Sequence, residues 1–181
     1  MLKLRLCFAV VAVVVTFCVW SPRADGVGDR TVTAQRLLIV LDTQADDIDL
    51  RIAEVMKARI ERRCASMVSI VRAADGPADL VVYLGTSGGK GALDTLCAAH
   101  GVKLPGRKAP APEGFAIKTV SLENRPTVLL VGVDHRGTLY AVGELLRRLR
   151  YEANGVVLGN IDISTAPAYR FRGSSANQGG I

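Results

Sequence analysis

The chain has 181 residues, of which 49% are hydrophobic and 22% charged, a balance that suits one globular domain with a buried core. Aromatic residues make up only 5%, fewer than a single-stranded nucleic-acid binder uses for stacking. The net charge of +6 owes three units to Lys3, Arg5 and Arg23 near the N-terminus; without them it falls to +3, and no nucleic-acid partner is inferred.

Lys3 and Arg5 precede an uncharged apolar run, 6–20, that is shorter than the ~20 residues of a membrane-spanning helix. Residues 1–24 therefore read as an export signal cleaved near Ala24, with an uncleaved membrane anchor as the alternative. The mature chain is then expected to be secreted or periplasmic and free of the membrane. Residues 25–35 are polar and read as a linker, and 36–166 as one α/β domain. Cys7 and Cys18 fall in the signal, which leaves Cys64 and Cys97 in a compartment where disulfides persist. A bridge between them and two separately buried thiols are both compatible with the sequence. No metal site and no cofactor are expected.

The apolar run 37–42 predicts a buried strand. The next segment predicts an amphipathic helix, with Ile48, Ile52, Val55, Met56 and Ile60 at helical spacing. Asp46, Asp47 and Asp49 suit its positive end, and Arg62 and Arg63 its negative end. Short strands follow at 67–71 and 80–85, then a helix over 91–100. The segment 101–114, rich in proline and glycine, is an exposed loop between two halves. The second half reads as strands 114–122 and 127–133 joined by the turn "ENRP", a helix over 138–150 with Leu139, Val142, Leu145, Leu146 and Leu149 on one face, and a last strand over 155–163. Hairpins mixed with strand–helix units predict an α/β (α+β) fold: a mixed sheet of about five or six strands flanked by about three helices.

Two stretches invite a chemical reading. "VVYLGTSGGKGALD", 81–94, runs from a strand through a glycine turn into a helix. It fails as a phosphate loop, because only Thr86, Ser87 and Gly88 separate Gly85 from Gly89, and Gly91 stands where Ser or Thr would bind magnesium. A dinucleotide fingerprint fails too, for want of the acid about 20 residues on. In "VDHRGTLYAVGELL", 133–146, Asp134 suits a helix N-cap and Gly137 a close approach at the first turn. His135 and Arg136 are expected to stand exposed there. An acid–base pair of Asp134 and His135 is disfavoured, since adjacent side chains diverge and no nucleophile stands nearby. No motif for acyl transfer or metal-dependent hydrolysis is present.

The order of "EGFAI", "VGVDHRGTLYAVGELL" and "AP" leading into "RG", over roughly 35–173, resembles the N-terminal non-catalytic domain of exported glycoside hydrolases. That domain type occurs in bacterial β-N-acetylhexosaminidases and α-glucuronidases. The resemblance implies a hexosaminidase domain-2-like fold, a role in carbohydrate metabolism, and a catalytic (β/α)₈ barrel as the expected downstream partner. By position it implies that Arg172 contacts a carbohydrate substrate. It carries over no catalytic residue. "SSANQGGI" departs from the hexosaminidase pattern, which weakens that assignment and leaves the α-glucuronidase-like branch at least as well supported. A barrel needs some 200 residues or more, so 167–181 is read as its start, disordered or loosely docked, and this chain alone is expected to be inactive. The alternative is a stand-alone exported module that binds glycans or proteins without catalysis. An unusually apolar exposed face on the sheet or on one helix would favour the first reading; a concave groove lined with aromatics would favour the second.

Overall fold

The structure, a computed structural model, describes residues 31–106 and 110–168. In chain order the elements are β1 (Val32–Ala34), β2 (Arg36–Leu41), α1 (Asp47–Glu61), β3 (Met67–Val71), β4 (Leu80–Thr86), α2 (Ala92–Ala99), β5 (Phe115–Leu122), β6 (Arg125–Gly132), α3 (His135–Arg148), β7 (Arg150–Glu152), β8 (Gly155–Leu158) and β9 (Asp162–Thr165). Six strands form a mixed sheet in the order β3-β2-β4-β6-β5-β9. Strands β3, β2, β4 and β6 are parallel, and β5 runs antiparallel to both β6 and β9.

Alternation along the strands sorts the side chains to two faces. Leu37, Ile39 and Leu41 of β2, Val82 and Leu84 of β4, Ile117 of β5 and Leu130 of β6 pack with Ile52, Met56 and Ile60 of α1 and Val142 and Leu145 of α3. The intervening residues Ala116, Leu129 and Val131 face the other way, onto Leu93 and Cys97 of α2. The result is three layers, with α1 and α3 on one face and α2 on the other. Both faces of the central strands are covered, which is why β2, β4 and β6 read as unbroken apolar runs.

The mixed sheet and three helices agree with the sequence expectation, and five details differ. Residues 32–34, expected within the linker, form β1. The single strand expected over 155–163 is two strands. Of these, β8 joins β1 and β7 in a separate three-stranded antiparallel sheet, and β9 pairs with β5 at the edge of the large sheet. Arg150, expected to end the helix, instead opens β7. Helix α3 begins at His135 rather than Thr138, and on α1 Ile48 and Val55 are 49% and 44% exposed while Asp49 is buried. Among the described residues no helix is long and apolar enough to cross a membrane. The expected export signal and most of the expected linker lie outside them.

Candidate functional site at the carboxyl edge of the sheet

In parallel sheets the polar side chains that follow each strand collect at the carboxyl edge. A crevice opens there where neighbouring strands send their helices to opposite faces. Here that point lies between β2, which leads to α1, and β4, which leads to α2. Asp42 follows β2, Thr86 ends β4, and Asp134 with His135 follows β6. The cleft beside them, lined by Asp42, Asp49, Thr86, Gly91 and Asp94 among others, holds about 40 Å³. That is room for about one water, far below the ~300–1,000 Å³ of a usual ligand pocket.

The glycine turn is filled from within. The Asp94 carboxylate accepts from the backbone N–H of Gly88 (3.0 Å) and Lys90 (2.9 Å), the position a phosphate would take in a nucleotide loop. Helix α2 has no cap from its own N-cap residue, Gly91. Asp42 reaches across from β2 instead, and a Cβ on Gly91 would lie 1.7 Å from its Oδ2. Burial pushes the Asp42 carboxyl upward. The backbone N–H groups of Gln44, Leu93 and Ala92 and the Thr43 hydroxyl outweigh that and hold it below its ordinary value. Both anion-binding features of a phosphate loop are thus occupied by the chain's own carboxylates.

A second cluster joins α1, β4 and α3. Asp46 caps α1, its Oδ1 accepting from the N–H of Ile48 (2.9 Å) and Asp49 (3.0 Å). Its Oδ2 faces His135 Nε2 at 3.2 Å. The other ring nitrogen, Nδ1, lies 3.4 Å from Asp49 Oδ1 and 3.2 Å from the Thr86 hydroxyl. Thr86 also meets Asp49 (3.2 Å) and Thr138 (3.0 Å), and Thr138 donates to the Gly85 carbonyl (3.2 Å). With a carboxylate at each nitrogen, the ring can donate to both only as imidazolium. The N–H of Asp49, joined by the facing His135 ring and the N–H of Ile48, holds the Asp46 carboxyl below its ordinary value. Asp46, Asp49 and His135 each offer a ligand atom within 4.8 Å of the others, and two carboxylates with an imidazole could hold a borderline divalent ion. Every one of those atoms already has a partner inside the protein, so the arrangement as it stands fastens the N-termini of α1 and α3 to the end of β4.

His135 was expected to be exposed. It is half-buried, because the parallel topology carries α1 to it from 86 residues upstream in the chain. The pairing with Asp134 is absent: Asp134 points back into its own helix and the preceding loop. Its Oδ1 accepts from Gly137 N–H (2.8 Å) and its Oδ2 from Glu113 N–H (2.8 Å). Gly137 lies so close to that loop that a Cβ on it would stand 2.2 Å from the Gly114 carbonyl oxygen. Arg136 is exposed and paired with Glu113 at 2.9 Å. Glu144 is half-buried and held between Arg147 and Arg148. Cys64 and Cys97 are free thiols. The bridge that the sequence left open is not formed, because Cys64 packs on the α1–α3 side of the sheet and Cys97 on the α2 side. Arg172 lies outside the described residues. Sequence reading missed the Asp46–Asp49–His135–Thr86 cluster. A usable signal was present: in a parallel α/β unit the residues just after each strand converge on one edge.

No protein-family model matches the chain, and no curated relative matches it. Solved structures do. The chain is similar to CpGH84B, with a TM-score of 0.50 and 17% identity, over 81% of this chain and 22% of that one. It is also similar to BtGH115A, a family GH115 4-O-methyl-α-glucuronidase with specificity for decorated arabinogalactans; the TM-score is 0.45 and the identity 16%, over 66% of this chain and 14% of that one. A third is the Streptomyces plicatus N-acetyl-β-hexosaminidase, with a TM-score of 0.41 and 12% identity, over 74% and 23%. These structural neighbours are glycoside hydrolases. At such identities the likeness is one of fold, and the chain spans less than a quarter of each neighbour's length.

Proposed function

We propose that residues 36–166 are a non-catalytic accessory domain of an exported glycoside hydrolase. In this reading 1–24 is its signal, 167–181 is the start of a following (β/α)₈ barrel, and Arg172 contacts carbohydrate from that first barrel strand. The observation that carries this reading is the match to CpGH84B: 81% of this chain aligns, on only 22% of that one. A domain that is most of one chain and a minor part of another fits a supporting role beside a larger catalytic unit. The exposed apolar residues agree with it. Of the four large hydrophobic residues exposed among the described residues, Ile48, Val55 and Leu139 lie on α1 and α3, α2 carries none, and Met67, at 70% exposure, lies on the edge strand β3. Exposed apolar side chains shared by α1 and α3 are what a packed neighbour would cover.

Two measurements test it. The purified chain, residues 25–181, should release no nitrophenol from nitrophenyl N-acetylglucosaminide or nitrophenyl glucuronide. Turnover abolished by a substitution within this domain would overturn the reading. The reading frame beyond Ile181 should continue with strand–helix periodicity and supply two carboxylates suited to glycoside hydrolysis.

A further inference from the structure

The six-stranded sheet is open, and β3 (Met67–Val71) is one of its two outer strands. Its sequence, MVSIV, has no charge and no proline, and three of its five residues are β-branched. Such a strand carries nothing of its own to stop another strand from pairing with it. In the parallel ladder with β2, the Met67 N–H bonds to the Gln35 carbonyl (2.8 Å), so Met67, Ser69 and Val71 turn their backbone groups toward β2. Val68 and Ile70 turn theirs toward the free edge.

At Val68 that edge is already taken. Lys57 of α1 donates from Nζ to the Val68 carbonyl, and Glu61, one helical turn on, accepts from the Val68 N–H at 3.3 Å. The two side chains also pair with each other at 2.7 Å. An ammonium and a carboxylate thus stand where the N–H and the carbonyl of a neighbouring strand would stand. The strand that fits this edge is β3 of a second copy. In antiparallel register about a two-fold axis at Ser69, Val68 faces Ile70 of the other copy, and each such pair exchanges two hydrogen bonds. The same register sets Met67, 70% exposed, against Val71 of the second copy. We propose that Lys57 and Glu61 hold this edge shut against a second copy of the chain, and that removing them turns β3 into a dimer interface. The inference concerns the described domain alone and does not rest on the accessory-domain reading.

Ser69 is exposed, and on the two-fold axis its two Cα atoms would lie about 4.5 Å apart, within reach of a disulfide. The test places Ser69→Cys in the full chain, with and without Lys57→Ala and Glu61→Ala, and oxidises each protein with diamide. Mass spectrometry then measures the peptide joined through position 69 to its own copy. Removing the Lys57–Glu61 pair should raise that yield about tenfold or more, and the yield should grow with protein concentration. Both side chains are partly exposed, at 38% and 37%, and alanine suits a helix, so the variant should keep its fold, which circular dichroism checks. Hydrogen exchange of the unsubstituted chain gives a second reading: the Val68 amide should exchange about tenfold or more slowly than the Ile70 amide. Equal yields with and without the pair, or equal exchange at Val68 and Ile70, would each overturn the proposal. Failure here would leave the glycosidase assays above untouched.

Discussion

Helix α3 contains two glycines in opposite situations, and they make a controlled experiment. A Cβ added to Gly143 meets nothing within 4 Å, whereas one added to Gly137 would stand 2.2 Å from the Gly114 carbonyl oxygen. Alanine in a helix interior is favoured over glycine by about 0.5–1 kcal/mol at either position. At Gly143 that gain is unopposed, so Gly143→Ala should raise stability by about 0.5–1 kcal/mol and Tm by about 2–5 °C. At Gly137 the contact is more than 1 Å too short, and the opposing atom is backbone that cannot rotate away. Relief requires the loop before β5 to move off α3. That strains the Val133 N–H to Gly114 carbonyl bond (2.8 Å) and the Glu113 N–H to Asp134 bond (2.8 Å). Two hydrogen bonds at about 1 kcal/mol each, with about 1–3 kcal/mol for overpacking, exceed the propensity gain. Gly137→Ala should therefore lose about 2–4.5 kcal/mol net, read by urea unfolding of both variants beside the parent chain. A Gly137→Ala variant as stable as Gly143→Ala would refute the close approach and the reasoning built on it.

Two further predictions concern titration. The Arg36 guanidinium bond, with the N–H groups of Arg36 and Gln35, holds the Asp79 carboxyl below its ordinary value of 3.8. Because the folded value lies below the unfolded one, this stabilisation is complete above about pH 4 and disappears as the pH falls through the folded value. Asp79→Asn should lower the unfolding free energy read from urea melts at pH 7, by under about 1 kcal/mol for so exposed a pair, and the gap should close in more acidic buffer; a gap that widens with acid would contradict this. Burial, with Asp94 adding, pushes the Cys97 thiol up to about 11. Iodoacetamide at pH 8 should leave the Cys97 peptide unmodified in the folded chain and alkylate it in urea, and equal labelling in both would show that the thiol is accessible.

The strand and helix periods are local properties. The apolar runs at 37–42, 80–85 and 127–133 and the 3.6-residue pattern from Ile52 to Ile60 therefore announced the central sheet and α1 before any contact was known. Glycine spacing likewise argued against a nucleotide loop, and the filling of that loop by Asp94 and Asp42 supplies the physical counterpart. Local pattern was silent wherever the partner is distant. Residues 155–158 and 162–165 look like one strand, because alternation cannot say which sheet each half joins. Ile48 and Val55 match the helix period yet face outward, because α3 and the sheet cover only part of α1. His135 seemed an exposed turn residue until topology set Asp46 and Asp49 against its two nitrogens. Cys64 and Cys97 could have been partners on spacing, and the sheet stands between them. Hydrophobic pattern and turn chemistry were enough to specify the elements; which side chains meet at the carboxyl edge follows from strand order, a long-range pairing that no short window of residues contains.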